Sequence, residues 1–220
     1  MKKILYSLAL LIYTLLFCFT SFSCASKKSS ISELAKACYN EGNSKANFKD
    51  YEGAIADYTR AIEFNPQYTK AYNNRGTAKS ILEDHLGAII DHTKAININP
   101  NYAIAYFNRG NSKDDLKDYE GAIIDYNKVI DLNPDYTEAY INRAQVYYSR
   151  GTSKSNLKDY NVAIKDYTKA IELDPNYAEA YYSRGISKYY TNDLNGACED
   201  ARKSGSLGNP FPKMIEAACN

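Results

Sequence analysis

The sequence predicts an all-α fold built from a repeated pair of helices, and two observations carry that prediction. First, landmarks recur at a fixed interval. Pro66, Pro100 and Pro134 are 34 residues apart, each followed two residues later by Tyr68, Tyr102 and Tyr136, and Pro175 with Tyr177 repeats the pattern 41 residues further on. Self-similarity at such a period marks a solenoid, in which no unit buries enough apolar surface alone and neighbours must stack. Second, apolar residues within a unit follow the helical period: Ala54, Ile55, Tyr58, Ala61 and Ile62 share one face. Proline cannot continue a helix and ends the second one of each pair. Asp50, Asp84, Asp118, Asp159 and Asp193 stand at one shared place in the units, where a helix N-cap is wanted.

Numbering the units from residue 35 gives five. They span 35–68, 69–102, 103–136, 137–177 and 178–208, and 209–220 is a terminal cap. Position 8 holds Gly42, Gly76, Gly110, Gly151 and Gly185, and position 20 holds Ala54, Ala88, Ala122, Ala163 and Ala197. Position 24 reads Tyr58, His92, Tyr126, Tyr167 and Ala201; position 27 reads Ala61, Ala95, Val129, Ala170 and Ser204. Glycine and alanine at these places let two antiparallel helices approach, with aromatic rings filling the space between them. Gly at 8, Ala at 20, an aromatic at 24, Ala at 27 and Pro at 32 in a 34-residue period resemble the tetratricopeptide repeat (TPR). The resemblance implies a right-handed superhelix of helix-turn-helix units with a C-terminal capping helix. It also implies a concave groove lined by positions 2, 5, 6, 9, 12 and 13 of the first helices. The fourth unit is seven residues longer because Tyr140-Ile141-Asn142-Arg143-Ala144 recurs as Tyr147-Tyr148-Ser149-Arg150-Gly151. Seven residues are nearly two turns, so the duplicated face returns to almost its first orientation on a helix lengthened by about 10 Å. That helix is expected to project at one edge. The fifth unit lacks the aromatic at 24 and the closing proline.

Composition bounds the function. The 220 residues hold 27 Lys+Arg against 26 Asp+Glu, with 45% apolar and 24% charged side chains. This is a folded chain, without the basic excess of a nucleic-acid binder. Residues 1–24 read as a signal peptide: Met1-Lys2-Lys3 is basic, Ile4 to Phe19 is mostly aliphatic, and Ser21 to Ala25 is rich in small residues. Three processing outcomes stay open. Ser23-Cys24 resembles the end of a bacterial lipobox, making Cys24 the lipid attachment site, although Ser21 stands where lipoboxes usually carry Leu. Cleavage after Ala25, or retention of the stretch as an anchor, are the alternatives. All three export the chain to the cell envelope, with residues 25–34 as a polar tether and the membrane reached only through the N-terminus.

Candidate chemistry is sparse. His85 and His92 occupy positions 17 and 24, where other units carry Tyr, and seven residues is a poor spacing for two metal ligands on a helix. Packing is expected, and neither a metal nor a cofactor. Cys38 sits at position 4 as a buried thiol, whereas Cys198 and Cys219 are expected to form a disulfide in an exported protein. Arg75, Arg109, Arg150 and Arg184 at position 7, and Lys45, Lys79, Lys113, Lys154 and Lys188 at position 11, await Asp57, Asp91, Asp125, Asp166 and Asp200 at position 23. This is an inter-helix ion-pair ladder. No nucleophile elbow, phosphate loop or paired carboxylate stands outside the repeat, so the chain is not read as an enzyme.

The resemblance places binding in the groove. Tyr39, Asn43, Asn73, Asn74, Thr77, Phe107, Asn108, Asn111, Tyr148 and Tyr182 form the candidate peptide-binding face, the asparagine amides being suited to backbone N–H and C=O groups. TPR domains that clamp a chaperone's C-terminal carboxylate use two Asn and three cations. Asn43 and Asn74 match the former, but Tyr39, Ile104 and Asn108 replace the latter. The 22 tyrosines follow the repeat: 15 of the 20 beyond the leader fall at positions 4, 17, 24 and 34, while Tyr39, Tyr148, Tyr182, Tyr189 and Tyr190 are expected to face the groove. The function expected is a non-catalytic protein- or peptide-binding scaffold of the envelope. The alternative is a glycan-binding or envelope-structural protein, with Tyr182, Tyr189 and Tyr190 as its aromatic cluster.

Overall fold

The structure is a computed structural model that describes residues 30–210 together with Ile215 and Cys219. The leader, Cys24, the start of the tether and most of the cap therefore lie outside the described residues. Described residues are helical throughout, without strands: α1 over 30–47, α2 Tyr51–Phe64, α3 Thr69–Ile81, α4 His85–Ile98, α5 Ala103–Asp115, α6 Tyr119–Leu132, α7 Thr137–Asn156, α8 Tyr160–Leu173, α9 Ala178–Tyr190 and α10 Leu194–Ser206. None is long and apolar enough to cross a membrane. The chain divides into two compact units, Met1–Asp84 and His85–Asn220.

Each helix starts and stops for a local reason. Asp50, Asp118 and Asp193 accept a hydrogen bond from the backbone N–H of Gly53, Gly121 and Gly196, capping α2, α6 and α10. Asp159 was expected to cap α8 in the same way and does not. Its third helical residue is Val162, and in the other units a Cβ at that place would overlap the capping carboxylate. Valine therefore displaces the cap. The second helices end before the proline. Asn65, Asn133 and Asp174 leave helical geometry, and their side chains accept the N–H of Gln67, Asp135 and Asn176 in Asx turns. Between the helices of each pair, Lys49, Glu83, Lys117, Lys158 and Asn192 adopt left-handed backbone with φ near 60°. No glycine marks these turns.

In the first unit the core is Cys38, Ala61, Ile62 and Ala71, with Tyr39, Tyr68 and Tyr72 against it. In the second, Ala122, Ile123, Tyr126 and Val146 form one cluster and Ala170, Ile171 and Ala180 another. Small residues set the spacing: a Cβ at Gly42, Gly110 or Gly151 would strike the ring of Tyr58, Tyr126 or Tyr167. The fifth repeat has Ala201 in place of that ring, and fully buried Ile215 packs there with Ala197 and Ala201. Cys198 and Cys219 are bonded, 21 residues apart, which fastens the chain end over this cluster. Such a loop closure is worth about 3 kcal/mol by chain entropy. Cys38 is a free buried thiol.

α7 has 20 residues where α5 and α9 have 13. The added two turns do not project. The N-terminal part of α7 packs on α6 through Val146, and the C-terminal part on α8 and α9 through Tyr148. The expectation of a projecting edge is thus corrected: an antiparallel neighbour lines each half of the helix.

Candidate binding face

The aromatic residues at position 5 are packed more than the repeat alignment predicts. Tyr39 lies 5.8 Å from the Tyr58 ring and 4.9 Å from Tyr68; Phe107 lies 5.9 Å from Tyr126 and 5.1 Å from Tyr136; Tyr148 lies 5.6 Å from Tyr167 and 5.1 Å from Tyr177. A tilted triplet of rings thus recurs at positions 5, 24 and 34. Tilted pairs at these distances contribute about 1 kcal/mol each beyond burial. Burial pushes the Tyr58, Tyr126 and Tyr167 hydroxyls up, and that of Tyr177 to about 12. They remain neutral donors.

Those donors engage the asparagine ladder. In the first unit Tyr58 Oη donates to Asn43 Oδ1 at 2.9 Å. Asn74 Nδ2 donates to the same oxygen at 3.0 Å and to Tyr39 Oη at 3.1 Å. In the second unit Tyr126 Oη and Asn142 Nδ2 donate to Asn111 Oδ1 at 2.8 and 3.0 Å. Tyr167 Oη donates to Thr152 Oγ1 at 3.3 Å. The ladder is therefore neither a bare solvated face nor a row of free amides. Asn43, Asn74 and Asn111 are pinned from below, and a fixed amide presents its remaining groups at low entropic cost.

The structure brings Tyr39, Asn43, Asn74 and Thr77 together, the last three lining a cavity of about 440 Å³ with Asn47, Tyr51 and Ile81. A cavity of about 330 Å³ recurs in the second unit, between Tyr119, Tyr148, Ser149, Thr152 and Asn156. Other predicted residues fall elsewhere. Asn73 is buried and donates from Nδ2 to Asn74 Oδ1 at 3.3 Å, so it stands behind the cavity-lining residues. Tyr182 packs on the Ala197, Ala201 and Ile215 cluster with Tyr189. Of the five tyrosines expected in the groove, Tyr190 is exposed and the other four are half-buried; Tyr190 stacks on Tyr160 at 4.9 Å. Asn108 is half-buried on α5, one turn before Asn111 and Ser112.

Asn47, Ile81 and Asn156, all at position 13, were not among the predicted residues, and neither was Asp114 at position 12. The signal was present, since the resemblance assigns positions 12 and 13 to the groove. The Asp114 carboxyl is raised by burial and by the charge of Asp115.

The carboxylates of the ion-pair ladder are buried, and their cations reach in from partly exposed positions. Arg109 donates Nε and Nη2 to Asp125 at 2.9 and 2.6 Å, and Lys113 joins at 2.8 Å. Arg184, Lys188 and Asp200 repeat this, and Lys45 meets Asp57 at 2.7 Å. In the fourth repeat Asp166 takes Arg150 alone; Lys154 makes no ion pair there, a departure from the predicted ladder. His85 contacts Asp115 at 3.3 Å. His92 is fully buried, neither ring nitrogen has a partner, and burial lowers its pKa to about 4. No three His, Cys, Asp or Glu side chains converge on a metal site among the described residues.

A solenoid of antiparallel helix pairs with this position code is an all-α TPR fold. The family described as TPR repeat matches residues 47–79, 115–151 and 156–191, so these segments are TPR repeats. Solved structures agree: the MamA protein is 23% identical, covering 80% of this chain and 92% of its own at a TM-score of 0.62. YrrB, a TPR protein with an unusual peptide-binding site, is 21% identical over 82% and 89%, at 0.60. The first TPR domain of Spaghetti (RPAP3), bound to the HSP90 peptide SRMEEVD, is 29% identical over 52% and 91%, at 0.52. No curated protein matches the chain. TPR proteins generally serve as non-catalytic scaffolds that bind proteins or peptides.

Proposed function

We propose that this chain is a non-catalytic scaffold exported to the bacterial cell envelope, holding an extended peptide or a partner protein on the face of its first helices. The observation that carries the reading is the repetition of one cavity in both compact units, each walled by a position-17 tyrosine, polar residues at positions 6 and 9, and a position-13 side chain. Pinned amides beside aromatic rings suit a peptide backbone. YrrB, which has a peptide-binding site, and the RPAP3 domain, which is bound to a peptide, support the same use of the fold. The ligand is not expected to be a chaperone tail, because Tyr39, Ile104 and Asn108 replace the clamp cations. The glycan alternative loses support where Tyr182 and Tyr189 pack into the C-terminal cluster.

Export and lipidation rest on the leader sequence. Asn47 and Asn156 are exposed, so Asn47→Glu with Asn156→Glu leaves the fold intact. The double variant loses partner capture in envelope membranes while helicity is unchanged; unchanged capture refutes the face. Fatty-acid labelling falls to background in Cys24→Ala, and equal labelling eliminates the lipid anchor.

A further inference from the structure

The insertion in α7 changes what surrounds one arginine. In unbroken repeats of the second unit the position-7 guanidinium is closed on both sides. Arg109 gives Nη1 to Thr93 at 3.1 Å and its other donors to Asp125. Arg184 gives Nη1 to Thr168 at 3.2 Å and the others to Asp200. Along α7 these duties separate. Arg143 bonds Asn127, the residue of α6 at the threonine's place, and Arg150 bonds Asp166. The Nη1 of Arg150 is thereby released from any hydroxyl and turns to Glu120 Oε1 at 3.3 Å, a side chain 69% exposed.

Beside it α7 and α8 line an open cleft of about 700 Å³. Its wall is apolar at Tyr147, Val162 and Ile164, and its cations are Arg150, Lys165 and Lys169. The buried carboxylate of Asp166 is occupied by Nε and Nη2 of Arg150. Lys169 reaches Glu172 at 2.6 Å, an exposed pair of small energy. Lys165 is exposed and makes no ion pair. Position 22 is Ala56, Ile90, Ile124 or Glu199 in the other repeats, so this lysine belongs to the fourth repeat alone.

We propose that this cleft is a second binding site, for a carboxylate-bearing, otherwise apolar segment of a partner protein. Its Asp or Glu pairs with Nη1 of Arg150 in the place Glu120 now takes, with Lys165 and Lys169 at the rim, and its apolar neighbours lie on Val162, Ile164 and the Tyr147 ring. Glu120 is the internal precedent: an exposed surface carboxylate already reaches that donor. Charge selects an acidic segment over a neutral one, and the apolar wall selects a peptide over an inorganic anion. The cleft shares no residue with the cavities of the binding face, so it stands or falls independently of them.

The test uses the exported chain and two fluorescent hexapeptide pools, one randomised over Leu, Ile, Asp and Glu, the other with Asn and Gln replacing the acids. The acidic pool binds saturably, more weakly as salt rises, and the neutral pool does not. Lys165→Glu with Lys169→Glu, both at exposed positions, weakens binding by about tenfold or more. Glu120→Gln tightens it about twofold, by removing the internal competitor. Asn47→Glu with Asn156→Glu leaves it unchanged. Equal binding of both pools, no saturable binding of the acidic pool, an unaffected lysine variant, or displacement by sulfate as effective as by peptide overturns the proposal.

Discussion

Arg109 and Arg150 hold the same place in their repeats, and the contrast between their surroundings shows how a solenoid absorbs an insertion. At the regular junction one guanidinium joins three helices: α5 carries it, α4 supplies Thr93 and α6 supplies Asp125. At the expanded junction α7 carries two arginines seven residues apart, one for α6 and one for α8. A two-turn insertion is tolerated because it restores the contact face on both sides, and its cost is local: Arg143 Nε is buried without a partner. The repeat survives, and a cleft lies beside the second of these arginines.

The largest expected effects separate the two junctions. Arg150→Ala leaves buried Asp166 with no cation and costs about 4 kcal/mol. Arg109→Ala leaves Asp125 with Lys113 and costs about 2 kcal/mol. Arg143→Ala removes a bond to an exposed amide and costs less than about 1 kcal/mol. Denaturant titration of the three variants orders them so; equal losses would erase the division of duties.

His92 makes the regular junction sensitive to acid. Its folded pKa is about 4 against an ordinary 6.5, so the unfolded chain takes up the proton first. The stability this neutral ring contributes is fully present above pH 6.5 and is lost as pH falls towards 4, amounting to about 3 kcal/mol. His92→Phe lacks that portion of the pH dependence, which denaturation at pH 7 and pH 4.5 measures by difference from the wild type.

Smaller effects follow from the turns. Asp118→Ala removes a working cap and costs about 1 kcal/mol, whereas Asp159→Ala costs close to nothing because Val162 already excludes the cap. Lys117→Gly relieves left-handed backbone and stabilises by about 0.5 kcal/mol, net of glycine's entropy. Thermal midpoints resolve both.

Most of the architecture was legible in the sequence because the repeat samples each position several times. Gly42, Gly110 and Gly151 paired with Tyr58, Tyr126 and Tyr167 follow directly from positions 8 and 24. The candidate binding face was less legible. Asn43 and Asn111 were recognisable as facing residues, but hydroxyls from position 24 claim their oxygens, a contact between residues 15 apart that no period announces. Asn73 is buried, a depth that the mostly aromatic or aliphatic side chains at position 5 of the other repeats do not announce. The fate of the insertion depended on which helix each half of α7 meets, and a duplicated segment reads the same whether it projects or packs.

The most direct test of the proposed binding face is site-specific photocross-linking in cells that make the full chain. Benzoylphenylalanine placed at Asn47 or Asn156, in the two equivalent cavities, cross-links one common partner, and the same probe at exposed Arg202 on the second helix of the last repeat does not. Cross-links of equal yield from Arg202, or none from either cavity, would contradict the account.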